Sequence, residues 1–119
     1  MKDIKVYICS PYTNGDKEKN VEFQMEMADQ LISLGFFPFT PLYYHFQHTY
    51  IPRYDSDWLK LDFVWLRLCD CIIRFKTIYE GKVLDSHGSD LEEEEARRIG
   101  IPVFYTIDDM VNYYKENII

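Results

Sequence analysis

The sequence predicts a three-layer α/β sandwich around a doubly wound parallel sheet of four to five strands, flavodoxin- or Rossmann-like in kind. Three observations lead there. Short β-rich runs at 4–9, 36–39, 70–75 and 101–105 alternate with segments of helical pattern, in the order β-α-β-α-β-α-β-α. The first run, Ile4-Lys5-Val6-Tyr7-Ile8-Cys9, stops at Ser10-Pro11, as an interior parallel strand does where it opens into a ligand-binding loop. No repeat, linker or low-complexity tract interrupts the chain, so residues 1–119 read as one domain.

The elements follow in order. Asp16 caps a helix reaching about Leu34, with Val21, Met25, Ala28 and Leu31/Ile32 as its inward stripe and Gly35 as its stop. Phe36-Phe37-Pro38-Phe39 is a second strand, and its proline places it at an edge. Thr40 to Tyr54 is an aromatic connection holding Tyr43, Tyr44, His45, Phe46, His48, Tyr50 and Tyr54, long enough to read as functional or as a lid. His45 and His48 alone do not make a metal site, because a third ligand is missing; walling a planar ligand or packing a subunit contact suits these rings better.

Asp55 or Ser56 is expected to cap the next helix, to about Leu68. The third strand is Asp70 to Phe75, and Lys76 to Ser89 forms a second long loop with Gly81 and Gly88. A short helix then ends at Gly100, Ile101 to Tyr105 is the fourth strand, and Thr106 or Asp108 caps a final helix through Tyr114.

Two carboxylates stand out by helical phase. Glu92, Glu93, Glu94 and Glu95 are consecutive, but a helix turns them apart at about 100° per residue. With Glu92 at zero, Ala96 lies at about +40° and Ile99 at about −20°, so Glu92 shares their small apolar face near the helix's first turn. Glu93 and Glu94 point to solvent, and Glu95 sits on the margin at about −60°. Likewise Asp62 falls among Trp58, Leu59, Trp65 and Leu66, while Lys60 and Arg67 face away. A carboxylate on an apolar face needs partners or a function. The loops after the first three strands open on one edge of such a sheet. Ser10 to Asn14, the aromatic connection and the loop from Asp85 to Asp90 should therefore converge around Glu92, with Tyr7 and Cys9 close by.

Composition narrows the classes. A net charge of −7 and a pI of about 4.8 argue against gripping duplex nucleic acid or an anionic membrane. A small anion remains possible, held by loop amides and a helix N-terminus. No apolar run approaches a membrane span, and Met1-Lys2-Asp3 leads into a strand without a signal-peptide pattern. The three cysteines, Cys9, Cys69 and Cys71, suit reduced core thiols. A soluble cytoplasmic protein is expected. Apolar surface around Trp58 and Trp65 predicts a homo-oligomer.

Several of these segments together resemble the nucleoside 2-deoxyribosyltransferase-like superfamily, in particular its small phage and bacterial members of unassigned function. They are Val6-Tyr7-Ile8-Cys9-Ser10-Pro11-Tyr12, the pair Asp62 and Asp70, Gly88-Ser89-Asp90-Leu91-Glu92, and Ala96 followed by Gly100-Ile101-Pro102-Val103. The resemblance spans nearly the whole chain. It implies Glu92 as the nucleophile, Tyr7 as its hydrogen-bonding partner, and Asp62 and Asp70 as further catalytic carboxylates. Substrate contacts are expected from the converging loops, at Ser10, Pro11, Tyr12, His45, Ser86, Gly88, Ser89 and Asp90, and the resemblance implies the serines as candidates for a 5′-phosphate. The reaction would cleave the N-glycosidic bond of a nucleoside or nucleotide, by hydrolysis or 2-deoxyribosyl transfer, without metal or cofactor. Two departures favour hydrolysis over base exchange. Glu94 replaces the second family glycine, and neither Asn112 nor Asn117 matches the family's C-terminal asparagine. A nucleotide-binding or interaction module without turnover is the alternative, and a flavin or redox protein using the cysteines is a third reading.

Overall fold

A computed structural model describes residues 2–117, apart from the side chain of Asn117. Strands β1 (Lys5–Cys9), β2 (Phe37–Phe39), β3 (Cys71–Arg74) and β6 (Val103–Phe104) form one parallel sheet in the order β2-β1-β3-β6. The central strand β1 sets Tyr7 against Phe39 on one side and Ile72 on the other. Proline-bearing β2 lies at the edge, where a missing N–H costs no ladder bond. The order reverses between β1 and β3, which makes their carboxyl ends a topological switch point.

Alternation divides the core into two layers. Val6, Ile8, Cys71, Ile73 and Phe104 face α1 (Lys17–Ser33) and α5 (Ile107–Asn117) through Ala28, Leu31 and Met110. Tyr7, Cys9 and Ile72 face the other way, toward Leu66 of α3 (Asp55–Leu66) and Ala96 of α4 (His87–Ile99). Asp16 caps α1 by accepting from the Lys19 amide at 3.1 Å, and Thr106 does the same for Asp109 at the start of α5. Gly100 ends α4 at φ +81°, a left-handed conformation suited to glycine. No helix among the described residues is long and apolar enough to cross a membrane.

Five expectations are corrected. The stretch from Thr40 to Tyr54 is ordered by a 3₁₀ turn (Pro41–Tyr43) and a short helix, α2 (Tyr44–Tyr50), because ring stacking and Gln24 anchor it. The stretch from Lys76 to Ser89 contains an antiparallel hairpin, β4 (Ile78–Tyr79) and β5 (Lys82–Val83), turning at Glu80 and Gly81, both at positive φ. Helix α3 begins without a side-chain cap, Asp55 and Asp57 instead lying in its first turn, where carboxylates favour the helix dipole. It ends at Leu66 rather than Leu68. Helix α4 begins at His87 with Ser86 as cap, which moves Ser89 and Asp90 into the helix and Glu92 to its second turn.

The inward face of α1 holds more than its apolar stripe. Gln24, fully buried, donates to the Ser10 hydroxyl at 2.8 Å and accepts from the Leu42 amide at 2.9 Å. One side chain thus ties the loop after β1 to the turn after β2. Ile32, expected inside, is 60% exposed. Gln24→Leu leaves a buried amide and hydroxyl unpaired and should cost about 2 kcal/mol in urea unfolding. Ile32→Ala should stay within about 0.5 kcal/mol of wild type.

Candidate active site

The carboxyl ends of β1 and β2 and the amino end of α4 enclose a cavity of about 500 Å³, lined by Ser10, Gln24, Trp58, Asp62, Ser89 and Glu92 among others. That size suits a ligand of nucleoside dimensions. Glu92 is 7% exposed, and both its oxygens are engaged. The Tyr7 hydroxyl donates to Oε2 in a short hydrogen bond. The Cys9 thiol lies 3.5 Å from Oε1 and shares itself with the Ser89 carbonyl at 3.6 Å. Tyr7 and Cys9 reach Glu92 because they are two apart on β1 and so leave the same sheet face.

Burial is the largest influence on the Glu92 carboxyl and raises it; hydrogen bonds from Tyr7 and Cys9 and the Arg74 charge pull it back, leaving it at about 7. Asp62, from α3, is raised to about 8, by burial first and then by the charge of Glu92. Its Oδ1 is buried without a hydrogen-bond partner among the described residues. These two carboxyls titrate against each other, and Asp62 is the one that keeps its proton longer. Tyr7 is pushed well above its ordinary value, by burial and then by Glu92, so it stays a donor.

The entrance supplies polar groups. Ser86 accepts from the Ser89 amide at 3.2 Å and donates to the Ser89 hydroxyl at 2.8 Å. Gly88 and His87 line the cavity beside them. The Ser10 hydroxyl accepts from Gln24, so its own proton is available for another acceptor. Tyr12 and His45 meet at 2.6 Å, and the far nitrogen of His45 lies 3.1 Å from Glu18. Tyr44 and Trp58 stack at 5.3 Å and 28°.

Several expected site residues are placed elsewhere. Asp70 precedes β3 at the amino edge of the sheet, where its Oδ2 accepts from the Lys5 amide at 2.8 Å and its Oδ1 pairs with Lys2 at 2.9 Å. Burial raises its carboxyl, but these Lys5 and Lys2 contacts outweigh that and hold it below the ordinary range. The strand's length, roughly 13 Å, separates it from the cavity. Asp90 is exposed and pairs with Arg74 at 2.7 Å. Pro11 is buried but not among the lining residues. Glu93 is no free surface acid, since it accepts from Tyr105 at 2.8 Å and from Arg74 at 3.2 Å. Glu95 is as little exposed as Glu92, but Arg98 and Arg67 cover it and lower it to about 2. Glu94 is exposed and does not line the cavity.

Sequence reasoning missed three contributors: Gln24, Cys9 as a partner of Glu92, and Arg74. For Gln24 a signal existed, since it sits three residues after Val21 and four before Ala28 on an otherwise apolar stripe.

The two raised carboxyls have a consequence for stability. Glu92 and Asp62 bind protons more tightly folded than unfolded, so stability falls as pH rises from about 4 through about 8. Glu95 acts oppositely: its contribution is present above about 4.5 and is lost toward about 2. The urea midpoint should therefore peak near pH 4. An Asp62→Asn/Glu92→Gln double variant should keep the acid limb and flatten the alkaline one; an unchanged alkaline slope would contradict these assignments.

Comparison with curated proteins gives no match. A family model described as "Domain of unknown function (DUF7768)" matches residues 4–106, a span running from Ile4 to Thr106 that takes in Tyr7, Asp62 and Glu92. The chain belongs to that family.

Proposed function

We propose that the protein cleaves the N-glycosidic bond of a nucleoside or nucleotide through a glutamate nucleophile. The observation that carries this is that Glu92, held by Tyr7, and a second enclosed carboxyl, Asp62, line one cavity, burial raising both. Two acids whose environments set different titration points divide naturally into nucleophile and proton donor. In the first step a Glu92 oxygen bonds to the anomeric carbon as the carbon–nitrogen bond breaks. The bonding electrons move onto the base nitrogen, and Asp62 delivers its proton to the departing base. Water, or a second base, then attacks the anomeric carbon and frees the Glu92 carboxylate, with Asp62 recovering a proton.

The cavity supports this reading beyond the acids. Trp58 and Tyr44 offer a stacking wall for a heterocycle. Ser89, Ser10 and the amino end of α4 offer donors for an anionic or hydroxyl-bearing sugar. Glu94, in the place of the superfamily glycine, points away from the cavity, so that departure does not obstruct the site. The thiols Cys9, Cys69 and Cys71 are free, which fits a reducing cytoplasm.

Chromatography of free base released from a panel of nucleosides and 5′-nucleotides tests the proposal. Glu92→Gln should lower release at least about 10³-fold, and Asp62→Asn about 10²-fold or more. Tyr7→Phe should move the acid limb of the pH profile upward, because the lost donor favours ionised Glu92. In the wild type the rate should rise as Glu92 loses its proton at about 7 and fall as Asp62 loses its own at about 8. A folded protein releasing no base from any substrate would refute turnover. Stabilisation by a nucleotide without turnover would favour the binding-module reading.

A homo-oligomer is proposed with it. Val64, Trp65 and Leu68 are exposed around the carboxyl end of α3, and Tyr50, Ile51 and Tyr54 are exposed before its amino end. Light scattering should return at least twice the 14.3 kDa chain mass; a monomer at high concentration would exclude it.

A further inference from the structure

Two N–H groups converge on one nitrogen of His48. The Trp58 indole donates to Nδ1 at 2.8 Å, and the Arg53 backbone amide donates to the same atom at 3.2 Å. A ring nitrogen accepting these bonds carries no proton, so the neutral imidazole holds its hydrogen on Nε2. The ring lines the cavity, edge-on to Trp58 at 5.7 Å and 80°, and Trp58 in turn stacks on Tyr44. Its neighbour on α2 differs. His45 spends one nitrogen on Tyr12 and the other on Glu18, leaving no N–H for a ligand. Asp55 and Ser56, at the start of α3, line the same cavity and can accept.

We propose that His48 reads the base: its Nε2–H donates to an oxo group at the edge of a heterocycle lodged against Trp58 and Tyr44. The inference rests on the N-glycosidase reading of the cavity and names its substrate class, nucleosides of 4-oxopyrimidines and 6-oxopurines. A histidine free to exchange tautomers could accept from an exocyclic amino group as readily as it donates to an oxygen. Trp58 and Arg53 remove that freedom. An amino base would place donor against donor in a partly desolvated pocket, leaving both groups unpaired. The oxo bases also carry a ring N–H beside the oxygen, matching the acceptors Asp55 and Ser56.

The test compares kcat/KM for 2′-deoxyuridine with 2′-deoxycytidine, and 2′-deoxyinosine with 2′-deoxyadenosine. Wild type should favour each oxo member at least about tenfold. His48→Gln presents either an amide N–H or an oxygen, so the preference should fall to within about threefold while turnover of the oxo substrates persists. A binding arm uses calorimetry with free uracil and cytosine, which needs no turnover. A long-range nitrogen–proton NMR spectrum should show His48 protonated at Nε2. Base release without an oxo preference, or with one unchanged in His48→Gln, overturns the role of His48 and leaves the N-glycosidase reading standing. Uracil binding over cytosine without base release overturns the N-glycosidase reading and keeps the base-reading role. Neither base preference nor binding, or a proton on Nδ1, overturns the inference.

Discussion

The hydrogen bond from the Tyr7 hydroxyl to Glu92 fastens the sheet to α4, and the organisation of the site depends on it. Glu92 enters an apolar layer made by Leu66, Ile72 and Ala96 with Tyr7 and Cys9, where a carboxyl without donors would be strongly unfavourable. Tyr7 is itself fully buried, and its hydroxyl needs a partner as much as the carboxyl does. Each group satisfies the other. The bond also fixes the rotation of α4 about its axis, because one residue of helical phase, about 100°, would exchange Glu92 for a neighbour.

That rotation gives four chemically identical side chains separate environments. Glu92 meets a phenol and a thiol, Glu93 meets Arg74, Arg97 and Tyr105, Glu94 meets water, and Glu95 meets Arg67 and Arg98. Guanidinium groups lower Glu95 to about 2, whereas burial with only neutral donors in contact leaves Glu92 at about 7. Both burial and partners differ: Glu92 lies against the core, whereas Glu95 is covered by two arginines that are themselves largely exposed. Arg97 and Arg98, at the carboxyl end of α4, also complement the helix dipole.

Much of the fold was legible because it rests on local periodicity. The four parallel strands, the edge position of the Pro38 strand, the Asp16 cap and the Gly35 and Gly100 stops follow from patterns within a few residues. Glu92 was legible for the same reason, as was Asp62 among its apolar neighbours. The misses are tertiary. Gln24 is buried because two loops from different strands bring it partners, which its own helix does not reveal. Asp70 failed on direction: a residue opening a parallel strand lies at the opposite edge from the loops that close it. The start of α4 was placed too late because His87 and Gly88 read as loop residues, although Ser86 caps the helix and Ser89 completes the turn.

Arg74 opposes the burial that raises Glu92, but it is the smallest of the influences that do so. It ends β3 beside the site, and an unneutralised guanidinium there would draw Glu92 down toward the ordinary carboxylate range. Instead Asp90 holds it at 2.7 Å and Glu93 at 3.2 Å, both from the outward side of α4. Its charge is thereby largely spent on surface acids, and it acts on Glu92 only as the last of the influences that lower it. Neither Asp90 nor Glu93 lines the cavity, and burial is the dominant influence on Glu92. The Glu92 charge in turn adds to burial in keeping Asp62 protonated. Asp90 and Glu93 meet Arg74 while Glu92 meets Tyr7 and Cys9, so one glutamate of the acid run alone enters the site.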